Sequence, residues 1–296
     1  MYALIKKARD LDLPIDLQLE MFDATVAPII LYGSEIWGYE NLDIIEKLQK
    51  KFCKFILKLK DSTPTCIAYG ELGRYPLTGI IKSRMISFWC KLRTGKKSKL
   101  SCKVYQALFN LYQSNIYRSP WLKCIHNILN SCGLSNLWNS MDLNSTWLVN
   151  TVKQRVKDQY LQEWHAEVQE SPICYNYRLF KQEFGFEKYL TDLPYRWRFI
   201  LCKFRTLNHG LPVEKGRYLK IPRHQRYCNL CSKQQLGDEY HYLFECEELE
   251  VLRLDYIPKY YRSNHNTIKY KSLMCSETKV LCRLCKFISG LFIMVN

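Results

Sequence analysis

Apolar residues along this chain recur at three- and four-residue intervals over most of its length, the period of amphipathic helices rather than of strands. Residues 15–37 read as one helix. Pro28 is predicted to kink or break it, because proline lacks a backbone donor and crowds the preceding turn. Residues 40–60 form a second helix. Its apolar arc carries Ile45, Leu48, Phe52, Phe55, Ile56 and Leu59. Lys47, Lys50, Lys51, Lys54 and Lys58 fall within roughly 100° of one another on a separate arc. Asp61, Ser62, Thr63 and Pro64 stop this helix.

The same periodicity predicts helices at 76–92, 101–114, 121–131 and 145–169, with a basic loop over 91–101. Residues 172–209 read as two helices broken at Leu193–Pro194. Residues 213–230, with Gly216, Pro222 and a β-type run, read as a short β-hairpin. Helices return at 239–250 and 277–293. The expected fold is therefore mostly α. A thumb-like helical region spans 1–95 and a helical connector 96–193. A basic stretch and a small metal-stapled module with C-terminal helices fill 194–296.

Hydrophobic residues make up 47% of the 296, enough for a sizeable core. The formal charge of +16 predicts attraction to polyanions, either nucleic acid or an anionic membrane. The 21 Tyr, 13 Phe and 7 Trp favour nucleic acid, because bases stack on rings. The longest apolar stretch, 280–295, contains Arg283 and Lys286 and is too short to span a bilayer, so no membrane partner is expected. The N-terminal MYALIKKARDLDLP has no apolar signal core, and most of the 14 cysteines are scattered through helical patterns. Both point to a reducing compartment, cytoplasmic or nuclear, rather than secretion.

Cys228, Cys231, His241 and Cys246 read C-x2-C-x9-H-x4-C. Four soft or borderline ligands within so short a span predict a closed, tetrahedral, structural zinc site. The alternative is four unlinked core residues. The five-residue step from His241 to Cys246 is not a same-face helical spacing, so one ligand is expected at a helix end. Cys282 and Cys285 repeat the C-x2-C spacing inside an apolar helix without further ligands, and read as core residues.

Charge changes sign at this cluster. Residues 194–226 hold nine Lys and Arg against one acid, and residues 227–250 hold one Lys against six acids. The candidate nucleic-acid contacts are the five lysines of helix 40–60 together with Arg196, Arg198, Lys203, Arg205, Arg217, Lys220, Arg223 and Arg226. The basic side, rather than the acidic helix carrying His241 and Cys246, is expected to face phosphate. A merely solvated basic face is the alternative. No catalytic constellation is visible: there is no Asp-Asp pair, phosphate loop, nucleophile elbow or H-E-x-x-H. Glu35 is a lone carboxylate near a helix end, and no small-molecule substrate is evident.

Four segments together resemble the C-terminal part of LINE-type (non-long-terminal-repeat) retrotransposon reverse transcriptases. They are PIILYGSEIWG (28–38), KFCKFILKLKDSTPTCIAYGELGRYPL (51–77), FRTLNHGLPVEKGRY (204–218) and RYCNLCSKQQLGDEYHYLFEC (226–246). The resemblance runs over essentially the whole chain. It implies that residues 15–95 are the thumb-like helices after the polymerase palm, that a helical connector follows, and that Cys228, Cys231, His241 and Cys246 match the zinc-knuckle ligands. The palm with its paired aspartates, and any endonuclease, are absent. The resemblance therefore implies an element copy lacking its 5′ half, or an incomplete gene model, in which the polymerase label describes ancestry.

The expected function is a non-catalytic, nucleic-acid-binding fragment with structural zinc and with RNA, DNA or both as partner. The alternative is a zinc-stabilised helical scaffold for protein interaction.

Overall fold

The computed structural model describes residues 13–140 and 142–295. Residues 1–12, which carry most of the segment read for a signal peptide, lie outside the described residues. The chain is mostly helical, as the hydrophobic period requires. No strand occurs among the described residues, where the extended pairings are two isolated antiparallel bridges, Leu72 with Phe186 and Tyr227 with Leu236.

The hairpin expected over 213–230 is not there. Its place is taken by helix Pro212–Tyr218 and a 3-10 turn, Arg223–Gln225. Pro212 opens that helix at a position where its missing N–H has no intrahelical acceptor to lose. Gly216 is needed for close packing, since a Cβ there would meet Arg226 Cγ at 2.6 Å. Gly216, which suggested a turn, is thus a packing notch inside a helix, and Pro222 precedes the 3-10 turn.

The described residues divide into two compact units, each built from separated stretches. One holds the residues up to Glu20, Lys51–Arg74 and those from Trp164 on. The other holds Met21–Lys50 and Tyr75–Glu163.

In the second unit the segment read as one helix over 15–37 bulges just before Pro28 and breaks only at residues 31–33. A π-helical turn, Phe22–Val26, precedes helix Ala27–Ile30, and the Ala27 N–H reaches back to the Phe22 carbonyl. Helix Ser34–Trp37 follows Gly33, which has φ +66°. It packs on helix Leu77–Thr94, and Gly38 permits the approach: a Cβ there would sit 2.4 Å from Ile81 Cγ2. Helix Leu42–Ile56 turns Glu46 and Gln49 inward, so its buried stripe is rotated from the apolar arc read in the sequence. Glu46 Oε2 accepts the Leu77 N–H at 3.0 Å and so serves the N-terminus of helix Leu77–Thr94, while Gln49 Nε2 donates to the Tyr75 carbonyl at 2.9 Å. Trp89 stacks on Trp138 with centroids 5.9 Å apart and donates to the Tyr105 hydroxyl at 3.0 Å. Arg93 caps the 3-10 turn Ser135–Trp138, donating to the Trp138 and Ser140 carbonyls at 2.6 and 2.7 Å.

The first unit is organised around helix Thr65–Leu72, whose residues from Cys66 to Leu72 are all buried. Glu71, fully enclosed, pairs with the equally enclosed Arg205 at 3.2 Å. Tyr189 donates to Glu71 Oε2 at 2.6 Å. Arg205 also reaches Glu187 Oε2 at 2.8 Å and the Met274 carbonyl at 2.9 Å. Gly70 and Gly73 are required here. A Cβ on Gly70 would lie 2.8 Å from the Tyr177 hydroxyl, and Gly73 has φ +58°.

Helix Leu42–Ile56 ends before Asp61, through a Schellman motif centred on left-handed Lys58. The Leu59 N–H returns to the Lys54 carbonyl at 2.8 Å, and the Lys58 N–H to that of Phe55 at 3.0 Å. Helix Pro212–Tyr218 ends the same way around Lys220, with φ +57°.

Three outcomes are expected. A glycine adopts the left-handed region freely, whereas a side-chain-bearing residue there costs roughly 1–2 kcal/mol. Lys220→Gly at this exposed position should therefore raise stability by about 1 kcal/mol in chemical denaturation. Arg205→Met strands the buried Glu71 and should cost about 3–5 kcal/mol, whereas exposed Arg196→Met should move the midpoint by less than about 0.5 kcal/mol. Burial pushes the Glu71 carboxyl up, but Arg205 and Lys181 outweigh it and hold it below the ordinary carboxylate range. Its contribution is then fully present above the unfolded value of about 4.3 and is lost as pH falls through the folded value. Acid titration of the native chain should show that loss, and the Arg205→Met variant should lack it.

Candidate metal centre

Cys228 and Cys231 lie on a tight loop closed at its base. The Tyr227–Leu236 bridge sits there, with the Cys228 N–H donating to Gln235 O at 2.7 Å and the Gly237 N–H to Arg226 O at 2.9 Å. The loop turns back on itself through Gln234, which is left-handed with φ +49°. Within it the Leu230 N–H points at Cys228 Sγ at 3.4 Å. Gly237 must be glycine-sized, since a Cβ would meet Pro212 at 3.0 Å and Cys228 Cα at 3.1 Å.

The other two ligands come from helix Glu239–Phe244 and its end. Asp238 is the N-cap, its Oδ1 accepting the His241 N–H at 3.0 Å. His241 lies inside the helix. Cys246 follows its last turn, with its N–H donating to the His241 carbonyl at 2.9 Å. That wound-back end brings a five-residue step onto one side, as the spacing requires. Buried Arg253 closes the end of the helix, donating to the Leu243 and Cys246 carbonyls at 2.8 and 2.7 Å. The Tyr242 hydroxyl donates to Asn229 Oδ1 at 2.7 Å, tying the helix to the loop.

The ligand atoms of Cys228, Cys231, His241 and Cys246 all lie within 4.8 Å of one another, and all four residues are buried. Cys228 and Cys246 sulfurs are 3.8 Å apart, and Cys231 Sγ stands 3.5 Å from His241 Nε2. His241 thus presents Nε2 to the sulfurs, while Nδ1 faces Glu245 Oε2 at 3.3 Å, the carboxylate support that orients ligand imidazoles. The contact with Cys246 drives Cys228 towards thiolate and Cys246 towards thiol. Burial alone would lower the His241 pKa, but Cys228 and Glu245 outweigh it and raise it. This cluster can hold a metal ion. The pair Cys282 and Cys285 lies in helix Thr278–Val295 and takes no part in it.

The basic residues fare unevenly. Arg205 is buried in its carboxylate pairs, and Arg198 is buried with Nη2 donating to Leu193 O at 3.2 Å. Arg226 holds the Ile221 and Val213 carbonyls at 2.8 and 2.7 Å. Arg217 pairs with Glu214 at 2.8 Å, and Arg223 with Asp238 at 3.2 Å while lying 4.1 Å over the Tyr175 ring. Arg196, Lys203 and Lys220 are exposed. On helix Leu42–Ile56, Lys47 and Lys51 are exposed, Lys50 and Lys54 half-buried, and Lys54 donates to Asp61 O at 2.6 Å. The charge reversal seen in the sequence is thus partly internal: several arginines neutralise acids or cap carbonyls.

The basic stretch interleaves Trp197, Phe199, Phe204 and Tyr218 with its cations; what sequence reasoning missed is Tyr195 and the lysines set against these rings. Lys58 Nζ bonds the Tyr195 hydroxyl and lies 4.2 Å from the centroids of both the Tyr195 and Phe199 rings. Lys60 Nζ stands 5.4 Å over Tyr218, whose hydroxyl meets Ser62 Oγ at 2.8 Å and accepts from Arg217 at 3.1 Å. The signal was the alternation of tyrosine with arginine and lysine over 195–218.

Comparison with protein-family models, curated proteins and solved structures finds no match for this chain. No helix among the described residues is long and apolar enough to cross a membrane.

Elemental analysis checks the site. The purified chain should carry one metal ion, Cys231→Ser should lose it, and Cys282→Ser should retain it. Equal metal content in the two variants would break the assignment.

Proposed function

We propose that this chain binds single- or double-stranded nucleic acid through a basic, tyrosine-bearing surface, and that structural zinc staples its C-terminal module. The observation that carries the reading is the convergence at Tyr195 and Tyr218. Basic residues from the end of helix Leu42–Ile56 meet aromatic residues from the 195–218 stretch, far away in sequence. Tyr195 and Tyr218 are 38% and 51% exposed, each with a cation against its ring. Lys203 continues the face of Tyr195 and Phe199 at four-residue steps. Exposed rings flanked by ammonium groups offer stacking to bases and charge to phosphates.

Zinc is the ion this geometry favours. A tetrahedron with Zn–S of about 2.3 Å and Zn–N of about 2.0 Å has edges of about 3.8 Å between sulfurs and about 3.5 Å between sulfur and nitrogen. Two of the six ligand separations are 3.8 and 3.5 Å, and all six lie within 4.8 Å. Four protein ligands with no open position make the role structural, holding loop 226–237 to helix Glu239–Phe244.

The chain is read as non-catalytic. Its buried acids are committed to internal partners: Glu71 to Arg205, Glu239 to His209 and Asp238 to Arg223. The resemblance of its segments to the C-terminal region of LINE-type reverse transcriptases supports a nucleic-acid partner and an origin in such an enzyme.

A protein-interaction scaffold is the second reading, favoured by an apolar patch in the other unit. Ile29, Tyr32 and Ile36 are 77%, 84% and 61% exposed.

Titration with RNA and DNA across salt separates the two. Six neutralised phosphates give a log–log slope of about −5 on a duplex. Replacing Lys58, Lys60 and Lys203 by alanine together should flatten that slope by about 2 to 3. A flat response in the native chain, or an unchanged slope in the variant, would exclude this surface. The metal recovered with the native chain should be zinc.

A further inference from the structure

Helix Leu100–Gln113 is apolar on two sides. Its inner side is spent on its own unit. Cys102 and Tyr105 are buried, and the Tyr105 hydroxyl accepts from Trp89 at 3.0 Å. Phe109 and Tyr112 lie against Trp138, with ring centroids 5.3 and 5.9 Å apart. These contacts fix the rotation of the helix about its axis, so whatever its other side carries is held towards solvent.

That other side carries a second apolar stripe. Leu100, Val104, Ala107 and Leu111 are all exposed, the three larger ones by 77%, 58% and 41%. Their steps are four, three and four residues, the a/d spacing of a heptad repeat. At about 100° per residue they fall within roughly 60° of one another. So narrow a stripe is a seam for one facing helix rather than the broader face that packs on a core. It runs about 16 Å along the axis, and exposed Ile116 and Tyr117 follow the end of the helix.

Charge decides what this seam accepts. Lys96, Lys97, Lys99 and Lys103 are exposed at its N-terminal half, and no Asp or Glu occurs from Lys91 to Arg118. Lys103 stands beside Leu100 and Ala107, at steps of three and four residues. A second copy docking seam to seam would bring these cations to a surface with no acid to answer them, and like charges set face to face oppose association. A helix lying in a membrane interface buries a large apolar face, and the larger face here is already committed to Trp89 and Trp138. Nucleic acid would answer the lysines, but leucine and valine give its bases no ring to stack on.

We propose that this stripe docks an amphipathic helix of a partner protein, one with apolar residues at heptad spacing and Asp or Glu on the flank that meets Lys99 and Lys103. Apolar side chains supply the contact, and the lysines select the partner by its charge. The assignment uses residues of one unit only, and it is independent of the tyrosine-bearing surface and of the metal centre.

The test uses the intact chain and two synthetic peptides of three heptads with leucine at a and d. One carries glutamate at e and g, the other lysine. The glutamate peptide should bind tighter by roughly tenfold or more. Val104→Asp, at an exposed position, should leave the unfolding midpoint in place and weaken that binding by roughly tenfold or more. Ile29→Asp makes the same charge change in a separate apolar patch and should leave the binding unchanged. Lys99→Glu combined with Lys103→Glu should shrink the preference for the glutamate peptide by roughly fivefold. Failure of both peptides to bind, equal affinity for the two, or equal losses in Val104→Asp and Ile29→Asp would overturn the seam. If the native chain instead binds phosphatidylcholine–phosphatidylserine vesicles, binds RNA or dimerises through Val104 without taking the glutamate peptide, the stripe belongs to that occupant and the proposal falls.

Discussion

Arg205 has no water to face, so its charge has to be answered by the protein. Four segments meet that demand: Glu71 on helix Thr65–Leu72, Glu187 on the loop after Phe180, Tyr189 through Glu71, and the carbonyl of Met274 at the end of helix Thr267–Met274. A buried ion is tolerated only when its partners are all in place. The pair thereby holds helix Tyr195–Arg205 at one position within its unit. The rest of that unit hangs from this helix. The left-handed turn at Leu207 leads to Pro212, and the Val213 N–H is anchored to Gly237 O at 3.1 Å, at the base of the metal loop. Arg253 and Asp238 then cap the two ends of the ligand helix.

The helical period was readable in four helices with one face in solvent, but it missed Glu250–Tyr256 and Thr267–Met274 and overdrew the helix ahead of Pro194, where only short turns occur. Helices Leu77–Thr94, Leu100–Gln113, Pro120–Ser131 and Ser145–Glu170 fall within two residues of their predicted limits. Helix Thr65–Leu72 was invisible for the converse reason: it is buried on every side, so TCIAYGEL carries no period. The buried stripe of helix Leu42–Ile56 was misplaced because two of its members, Glu46 and Gln49, are polar and satisfied by backbone far along the chain.

The metal ligands were legible because they lie close in sequence and their chemistry is distinctive. Charge was legible in amount but not in destination. A count of basic residues cannot separate Lys203, which faces water, from Arg205, which faces Glu71. Nor does a linear reading anticipate compact units assembled from separated stretches, since the joining contacts span the intervening chain.

The two stabilising centres differ in reach. The sulfurs of Cys228 and Cys246 are 18 positions apart, whereas Arg205 and Glu71 are separated by 134. Closing the longer loop costs about 1.8 kcal/mol more in chain entropy. The cysteine–histidine cluster, which can hold a metal ion, is thus a local contact. The ion pair has to wait until distant segments have met. Loop closure alone thus makes the cysteine–histidine cluster the cheaper contact to form, and the enclosure of Arg205 the one that ties remote parts of the chain together.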